Sequence, residues 1–132
     1  MHLDISTSSR IELIDITSQI EQQVRDSRVQ SGICVVSTRH TTTSIIINEN
    51  ESGLRSDILN LLEHLIPPSA GYSHDRIDNN AEAHLKAVLL GSSETIPVID
   101  GKLVLGTWQR IFFAELDGPR HRTVNVTLIS HP

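Results

Sequence analysis

The sequence predicts a single α+β domain, residues 1–132, in which helices pack on a mixed, largely antiparallel β-sheet in a sandwich-like arrangement. Helix-like and strand-like patterns are interleaved in the first two thirds of the chain, whereas only strand-like patterns follow. Asp100-Gly101 lies between two apolar runs, which is a strong hairpin signal. A chain of 132 residues has the length of one domain with one substantial core.

The first half of the chain combines helices with short strands. Ile11 and Leu13 alternate with polar neighbours, which indicates a half-buried strand. Thr17 can cap a first helix, and the two prolines at 67 and 68 end a second one. The apolar runs between these points predict two strands, Ile33–Val36 and Ser44–Ile47, and a helix over about Gly53–Leu65 whose buried face is Ile58, Leu61, Leu62 and Leu65.

The second half begins with a third helix, which Asn79 or Asn80 can cap and Gly91 ends. Its spacing predicts an inward face of Ala81, Leu85, Val88 and Leu89, with Glu82 and Lys86 towards solvent. The remaining patterns predict four strands, namely Ile96–Ile99, Lys102–Leu105, Trp108–Leu116 and Thr123–Leu128.

Composition limits the classes of function. A formal net charge of −5 and a pI near 5.7 argue against nucleic-acid or membrane-surface partners, because both need a basic face. No segment resembles a signal peptide or approaches the roughly 20 apolar residues of a spanning helix, so we expect a cytoplasmic protein. The single cysteine, Cys34, lies in an apolar run and is interpreted as a buried structural thiol.

Three of the seven histidines lie where site residues are often found. His40 follows a buried strand, His74 lies in a polar loop, and His84 borders the apolar stripe of the third helix. Three imidazoles can bind a divalent metal and leave one coordination position open for water or substrate. The sequence contains no HExxH signature, however. Asp57, Asp75 and Asp78 could orient the rings. The four other histidines have simpler interpretations: His2 and His131 are terminal and mobile, His64 is solvated, and His121 remains open.

Other candidates are polar or aromatic residues beside predicted strands. Glu49 closes a strand and is either a solvated strand end or a general base. Trp108, between Thr107 and Gln109, is either core or a wall for a planar ring. Arg120 and Arg122 follow a Gly-Pro turn, where they are either solvated or contacts for an anion, since guanidinium groups bind phosphate in a bidentate manner.

Taken together, these motifs resemble the YjbQ-like family, whose members are often labelled secondary thiamine-phosphate synthases. The resemblance covers roughly Gly32 to Thr127 and departs from the family pattern at Ser52-Gly53, where many relatives have a proline. It implies a sandwich-like fold, a homotrimer and a cleft that holds the histidines. The matching motifs are His40-Thr41-Thr42, Asn48-Glu49, Asp57, His74, His84, Gly106-Thr107-Trp108-Gln109 and Gly118-Pro119-Arg120-x-Arg122.

The resemblance also implies an enzymatic activity of the thiamine-phosphate synthase type, in which a pyrimidine diphosphate is joined to a thiazole phosphate. On this interpretation His40, His74 and His84 bind a divalent metal, most simply zinc, and Glu49, Asp57 and Gln109 are the catalytic candidates. Trp108, Arg120 and Arg122 would bind the phosphorylated small-molecule ligand. The sequence shows neither a Gly-rich phosphate loop nor a magnesium-type aspartate cluster. The alternatives are therefore a metal-dependent hydrolase or another enzyme acting on a phosphorylated metabolite, and a non-catalytic metal- or ligand-binding trimer.

Overall fold

A computed structural model describes all 132 residues as an α+β domain with two curled antiparallel sheets and three helices. The five-stranded sheet has the order β1-β8-β3-β5-β6, and the three-stranded sheet has the order β2-β7-β4. The strands are β1 (His2–Ser6), β2 (Glu12–Asp15), β3 (Ser31–Thr38), β4 (Thr43–Glu49), β5 (Ser93–Ile99), β6 (Lys102–Leu103), β7 (Gln109–Glu115) and β8 (His121–Ser130).

The three helices are α1 (Thr17–Ser27), α2 (Ser52–Leu65) and α3 (Ala81–Leu90), and a short 3-10 turn spans Ser73–Arg76. No helix is both long and apolar enough to cross a membrane. The main core lies between the two sheets and α1, because the alternating side chains of the strands point there. Its buried members are Ile16, Ile20, Val24, Cys34, Val36, Ile45, Ile96, Val98, Ile111, Phe113, Val124 and Val126.

The predicted strands and helices are present, with two differences in the sheets. Strand β1, which the sequence analysis did not predict, pairs antiparallel with β8 through His2↔Asn125 to Ser6↔His121. His2 is therefore part of a strand, contrary to the prediction of a mobile terminus. The sheet is not mixed either, because every strand pair is antiparallel.

Helix α3 is rotated relative to the prediction. Lys86 is fully buried and Glu82 nearly so, whereas Leu85, Val88 and Leu89 are exposed. Ala81 is buried, as predicted. The face that packs on Ala114 and Leu116 contains Ala83 together with the partly buried Ala87 and Leu90. Small alanines allow α3 to approach the three-stranded sheet closely, and that approach determines which face points inward.

Helix α2 makes little contact with the rest of the chain, and only Leu62 of its predicted buried face is buried. Leu61 and Leu65 are exposed. Ion pairs hold the helix instead. The carboxylate of Glu63 accepts hydrogen bonds from Lys86 Nζ (2.8 Å) and from Arg10 (2.9 Å). This pairing explains how Lys86 can lie at a fully buried position.

Candidate functional site

The turn between β3 and β4 presents His40. The hydroxyl of Thr38 lies 2.8 Å from the hydroxyl of Thr43 and accepts from the His40 backbone N–H at 3.3 Å. Thr43 in turn donates to the carbonyl oxygen of His40 at 3.3 Å. Threonine hydroxyls close such turns by bonding to nearby backbone groups. The sequence thereby holds the imidazole at the end of a rigid strand.

The ring of His40 is held by the backbone of β8. Its Nε2 accepts the N–H of Thr123 at 2.9 Å, so the proton of the neutral ring is on Nδ1. Burial lowers the pKa of His40 below its ordinary 6.5, and the nearby positive charge of Arg122 lowers it further. The neutral ring therefore offers its Nδ1–H as a donor.

His74 and His84 are in direct contact. His84 lies on α3 and His74 in the 3-10 turn, with ring centroids 4.7 Å apart and planes at 78°, an edge-to-face packing. The buried Nε2 of His74 has no hydrogen-bond partner, and the nearest carboxylate oxygen is Oδ2 of Asp78 at 4.0 Å. The other aspartate of this turn, Asp75, accepts the N–H of Ala81 at 3.0 Å and so caps α3.

A buried ion pair lies below the cleft. Arg122 donates from Nε and from a terminal nitrogen to the two oxygens of Glu115, at 2.9 and 2.6 Å. Arg122 also donates to the hydroxyl of Thr42 at 2.9 Å, and Glu115 accepts the hydroxyl of Thr7 at 2.7 Å. These donors hold the pKa of Glu115 below its usual value despite the opposing effect of burial.

Arg120 lies at the rim of the same region. Its guanidinium donates to the carbonyl oxygen of Asp117 at 2.8 Å and to the carboxylate of Asp117 at 3.0 Å. The same carboxylate accepts from the side chain of Asn80 at 2.9 Å. Gly118 is required at this turn, because a Cβ there would lie 2.4 Å from the carbonyl oxygen of Ser9. About half of the Arg120 side chain remains exposed.

These side chains line a cleft with two compartments, which share Arg39, His40, Thr41 and His84. The first, which we call the polar compartment, has a volume of about 360 Å³ and no apolar lining residue. The second, the α3 compartment, has a volume of about 480 Å³ and includes Ala87 and Val88. The residues that line only the polar compartment are Thr42, Asp78, Asn80, Asp117, Arg120 and Arg122.

The remaining sequence candidates lie elsewhere. Glu49 pairs with Gln109 at the opposite end of the β4–β7 ladder from the Thr43↔Glu115 pair, six residue steps away. Six steps along a strand correspond to roughly 20 Å. There, Glu49, Trp108 and Gln109 line a separate depression, which we call the Trp108 depression, of about 360 Å³. Asp57 is exposed on α2 and bonds to none of these residues.

Other assignments agree with the sequence or refine it. Cys34 is fully buried, and burial raises the pKa of its thiol to about 11, which makes it unreactive. His64 is exposed, as expected. His121 lies on the face of β8 opposite Arg122, with its Nδ1 3.1 Å from the hydroxyl of Ser6.

Sequence reasoning missed several residues of the cleft. Glu115 shares strand parity with the core residues Ile111 and Phe113. A carboxylate at a core-facing position signals a buried partner, and that signal could have identified the pair with Arg122. Arg39, Asn80 and Asp117 carried no comparable signal, because only the tertiary fold brings them to the cleft.

The structure thus defines a single-domain α+β protein with two antiparallel sheets and a polar cleft lined by histidine and arginine. The model of the family described as UPF0047 protein YjbQ-like matches residues 1–131. The chain belongs to this family, as the sequence motifs predicted.

Relatives of known sequence or structure resemble the whole chain. A UPF0047 protein of Methanothermobacter thermautotrophicus is 55% identical over 98% of this chain and 91% of its own length. The UPF0047 protein YugU of Bacillus subtilis is 36% identical over 96% of both chains. A crystal structure from Sulfolobus solfataricus, described as a YbjQ-like protein of unknown function, has 45% identity, covers 99% of this chain and 96% of its own, and gives a TM-score of 0.97.

These findings correct the predicted function. The relatives are described as UPF0047 or YbjQ-like proteins, one of them of unknown function, so they give no support for a thiamine-phosphate synthase or another transferase. The prediction of a zinc-binding protein is also wrong, because no three His, Cys, Asp or Glu side chains are placed to hold a metal ion. His40 directs Nε2 at a backbone N–H, and His74 and His84 pack edge to face. The three rings therefore do not converge on one point, and the metal-dependent alternatives lose their basis.

Proposed function

We propose that the polar compartment binds a small phosphorylated anion. The proposal is supported by the lining of this compartment, which has no apolar residue and includes three arginines and His40 beside the carboxylates of Asp78 and Asp117. Arg120 is half exposed there, and His40 contributes a neutral Nδ1–H. Phosphate oxygens accept such charge-assisted and neutral bonds together, and a guanidinium fork matches their geometry.

Two arginines of the compartment have different roles in this proposal. Arg122 is committed to Glu115 and Thr42, and the Glu115 carboxylate balances its charge, so it holds the floor of the compartment. Arg120 uses one terminal nitrogen and Nε for Asp117, which leaves donors free at the rim. Arg120 is therefore a residue whose loss should weaken anion binding directly.

The α3 compartment supports a more specific ligand class. It adjoins the polar compartment at His40 and His84 and includes the side chains of Ala87 and Val88. A phosphate ester could place its phosphate beside Arg120 and its uncharged organic part beside α3. Most small-molecule sites combine apolar area with a few placed polar groups in this way.

We also propose that the protein assembles as a homotrimer. The exposed stripe of α3, formed by Leu85, Val88 and Leu89, supports assembly, because contiguous exposed apolar surface marks interfaces. The number of copies comes from the family resemblance. The cytoplasmic location and the exclusion of nucleic-acid and membrane partners remain predictions from composition.

Calorimetric titration with inorganic pyrophosphate tests the anion site. The parent protein should bind, and Arg120→Ala should weaken binding at least tenfold, about 1.4 kcal/mol, because the rim donor is lost. Arg25→Ala is the matched control, since Arg25 lies on α1 and takes no part in the cleft. Equal affinities for Arg120→Ala and the parent would remove the basis of the proposal.

A further inference from the structure

Trp108 is held in an exposed position. The side-chain carbonyl of Gln109 accepts the N–H of Gly106 at 2.8 Å, and the N–H of Gln109 donates to the carbonyl of Gly106 at 3.1 Å. These bonds fix the loop, yet Trp108 is 71% exposed. Tryptophan is enriched among the residues that dominate binding energy at protein interfaces. An exposed indole on a hydrogen-bonded loop is therefore suited to insert into a partner.

The exposed stripe of α3 is a suitable receiving surface. Val88 is 82% exposed and Leu89 59% exposed, although both lie on a helix whose other face is packed on the sheet. Val88 also lines the α3 compartment. An apolar group laid on Val88 would cover part of the stripe and one wall of the compartment.

The charges beside these two surfaces are complementary. Arg39 borders both compartments of the cleft and makes no ion pair or side-chain hydrogen bond. Glu49 lines the Trp108 depression, and its carboxylate likewise has no partner. Complementary charges of this kind set the register and orientation of a contact.

These two surfaces cannot meet within one chain. The Trp108 depression and the His40 turn lie at opposite ends of the β4–β7 ladder, roughly 20 Å apart. A contact between them therefore joins two copies head to tail, and repetition of such a contact closes a ring when the rotation permits.

We infer that each ligand cleft is completed by a second copy of the chain, whose Trp108 packs on Val88 and whose Glu49 pairs with Arg39. The inference rests on the proposed cleft and its assembly, and it adds that the cleft is built from two chains. The indole then forms one wall of the α3 compartment, beside the organic part of a bound phosphate ester.

Cysteine bridging tests the contact. A protein carrying both Val88→Cys and Trp108→Cys, treated with a short bis-maleimide, should form covalent species up to the closed ring. A mixture of the two single variants, coexpressed with different tags, should give covalent dimers. The native thiol of Cys34 does not interfere, because it is fully buried.

The matched control replaces Val88→Cys by Ile99→Cys, since Ile99 is also an exposed aliphatic residue but lies on the five-stranded sheet. This pair should not cross-link above background. Light scattering could find an oligomer while Trp108→Cys cross-links equally with Val88→Cys and with Ile99→Cys. The two-chain cleft would then be wrong, but the proposed oligomer would remain supported. A monomer at micromolar concentration would refute both.

Fluorescence complementation tests whether the second chain reaches the ligand. Trp108 is the only tryptophan, so Trp108→Phe chains have no tryptophan fluorescence. Arg120→Ala chains keep that fluorescence but lack the anion contact. We expect 4-nitrophenyl phosphate to quench the parent and the coexpressed mixture but not either variant alone. Calorimetry could show that this probe binds the parent although tryptophan fluorescence is quenched neither in the parent nor in the mixture. That result would overturn the two-chain cleft and leave the proposed anion site intact.

Discussion

Buried charge determines the structure of the cleft at the scale of single residues. Glu115 is fully buried and Arg122 nearly so, and each satisfies the other through two hydrogen bonds. A buried ion pair contributes little net stability, because desolvation offsets the attraction, but removal of one partner leaves an uncompensated charge. The pair therefore specifies the position of Arg122 more than it stabilises the fold.

Arg122→Met should lower the free energy of unfolding by about 3–5 kcal/mol, since the Glu115 carboxylate would remain buried without its cation. Urea denaturation measures the change. The double variant Arg122→Met with Glu115→Gln should recover most of the loss, because no buried charge remains. A loss below about 1 kcal/mol in the single variant would mean that solvent reaches Glu115, contrary to the packing described above.

His40 should make stability depend on pH near neutrality. Burial, followed by the charge of Arg122, lowers its pKa in the folded protein below 6.5, so the unfolded chain binds more protons below that pH. Stability should therefore fall as the pH drops from 7 through 6. Glu115 and Glu63, whose ordinary pKa is 4.5, contribute only at lower pH.

The measurement is chemical denaturation between pH 7.5 and 5.5. His40→Gln should remove part of this slope, because the amide oxygen can still accept the N–H of Thr123 but does not titrate. His64→Gln is the control, since His64 is exposed on α2. Identical slopes for His40→Gln and the parent would show that His40 is not kept neutral by the fold.

Sequence patterns predicted the regular elements well, at the scale of helices and strands. Alternation and β-branched runs identified β3, β4 and β8, because those signals report which face of a strand is buried. The hairpin signal of Asp100-Gly101 identified β5. The five-residue strand β1 was missed, although His2 to Ser6 alternate between exposed and half-buried positions.

The orientation of α3 could not be predicted by the same reasoning. Hydrophobic periodicity assumes that the apolar stripe faces the chain's own core. Here the inward face is built on Ala83 and on Lys86, whose ammonium is neutralised by Glu63 of α2. The exposed Leu85, Val88 and Leu89 are explained if a second copy covers them, a condition that one sequence cannot reveal.

At the scale of the whole molecule, the sequence motifs predicted the family and the fold class correctly. They did not predict that the candidate site residues lie in two groups at opposite ends of the molecule. His40, His84, Arg120 and Arg122 lie together because β3, α3 and β8 meet at one end of the molecule. Glu49, Trp108 and Gln109 lie at the other end. Motif order along the chain carries no information about this separation, and the predicted metal site failed because ring orientation depends on tertiary hydrogen bonds.

Crystals grown at saturating inorganic pyrophosphate would show whether the polar compartment binds phosphorylated anions. We expect pyrophosphate between the guanidinium of Arg120 and the Nδ1–H of His40. An Arg120→Ala crystal grown under the same conditions should show reduced occupancy at that position. A compartment without pyrophosphate in the parent, or pyrophosphate bound only elsewhere on the protein, would show that this compartment is not an anion site.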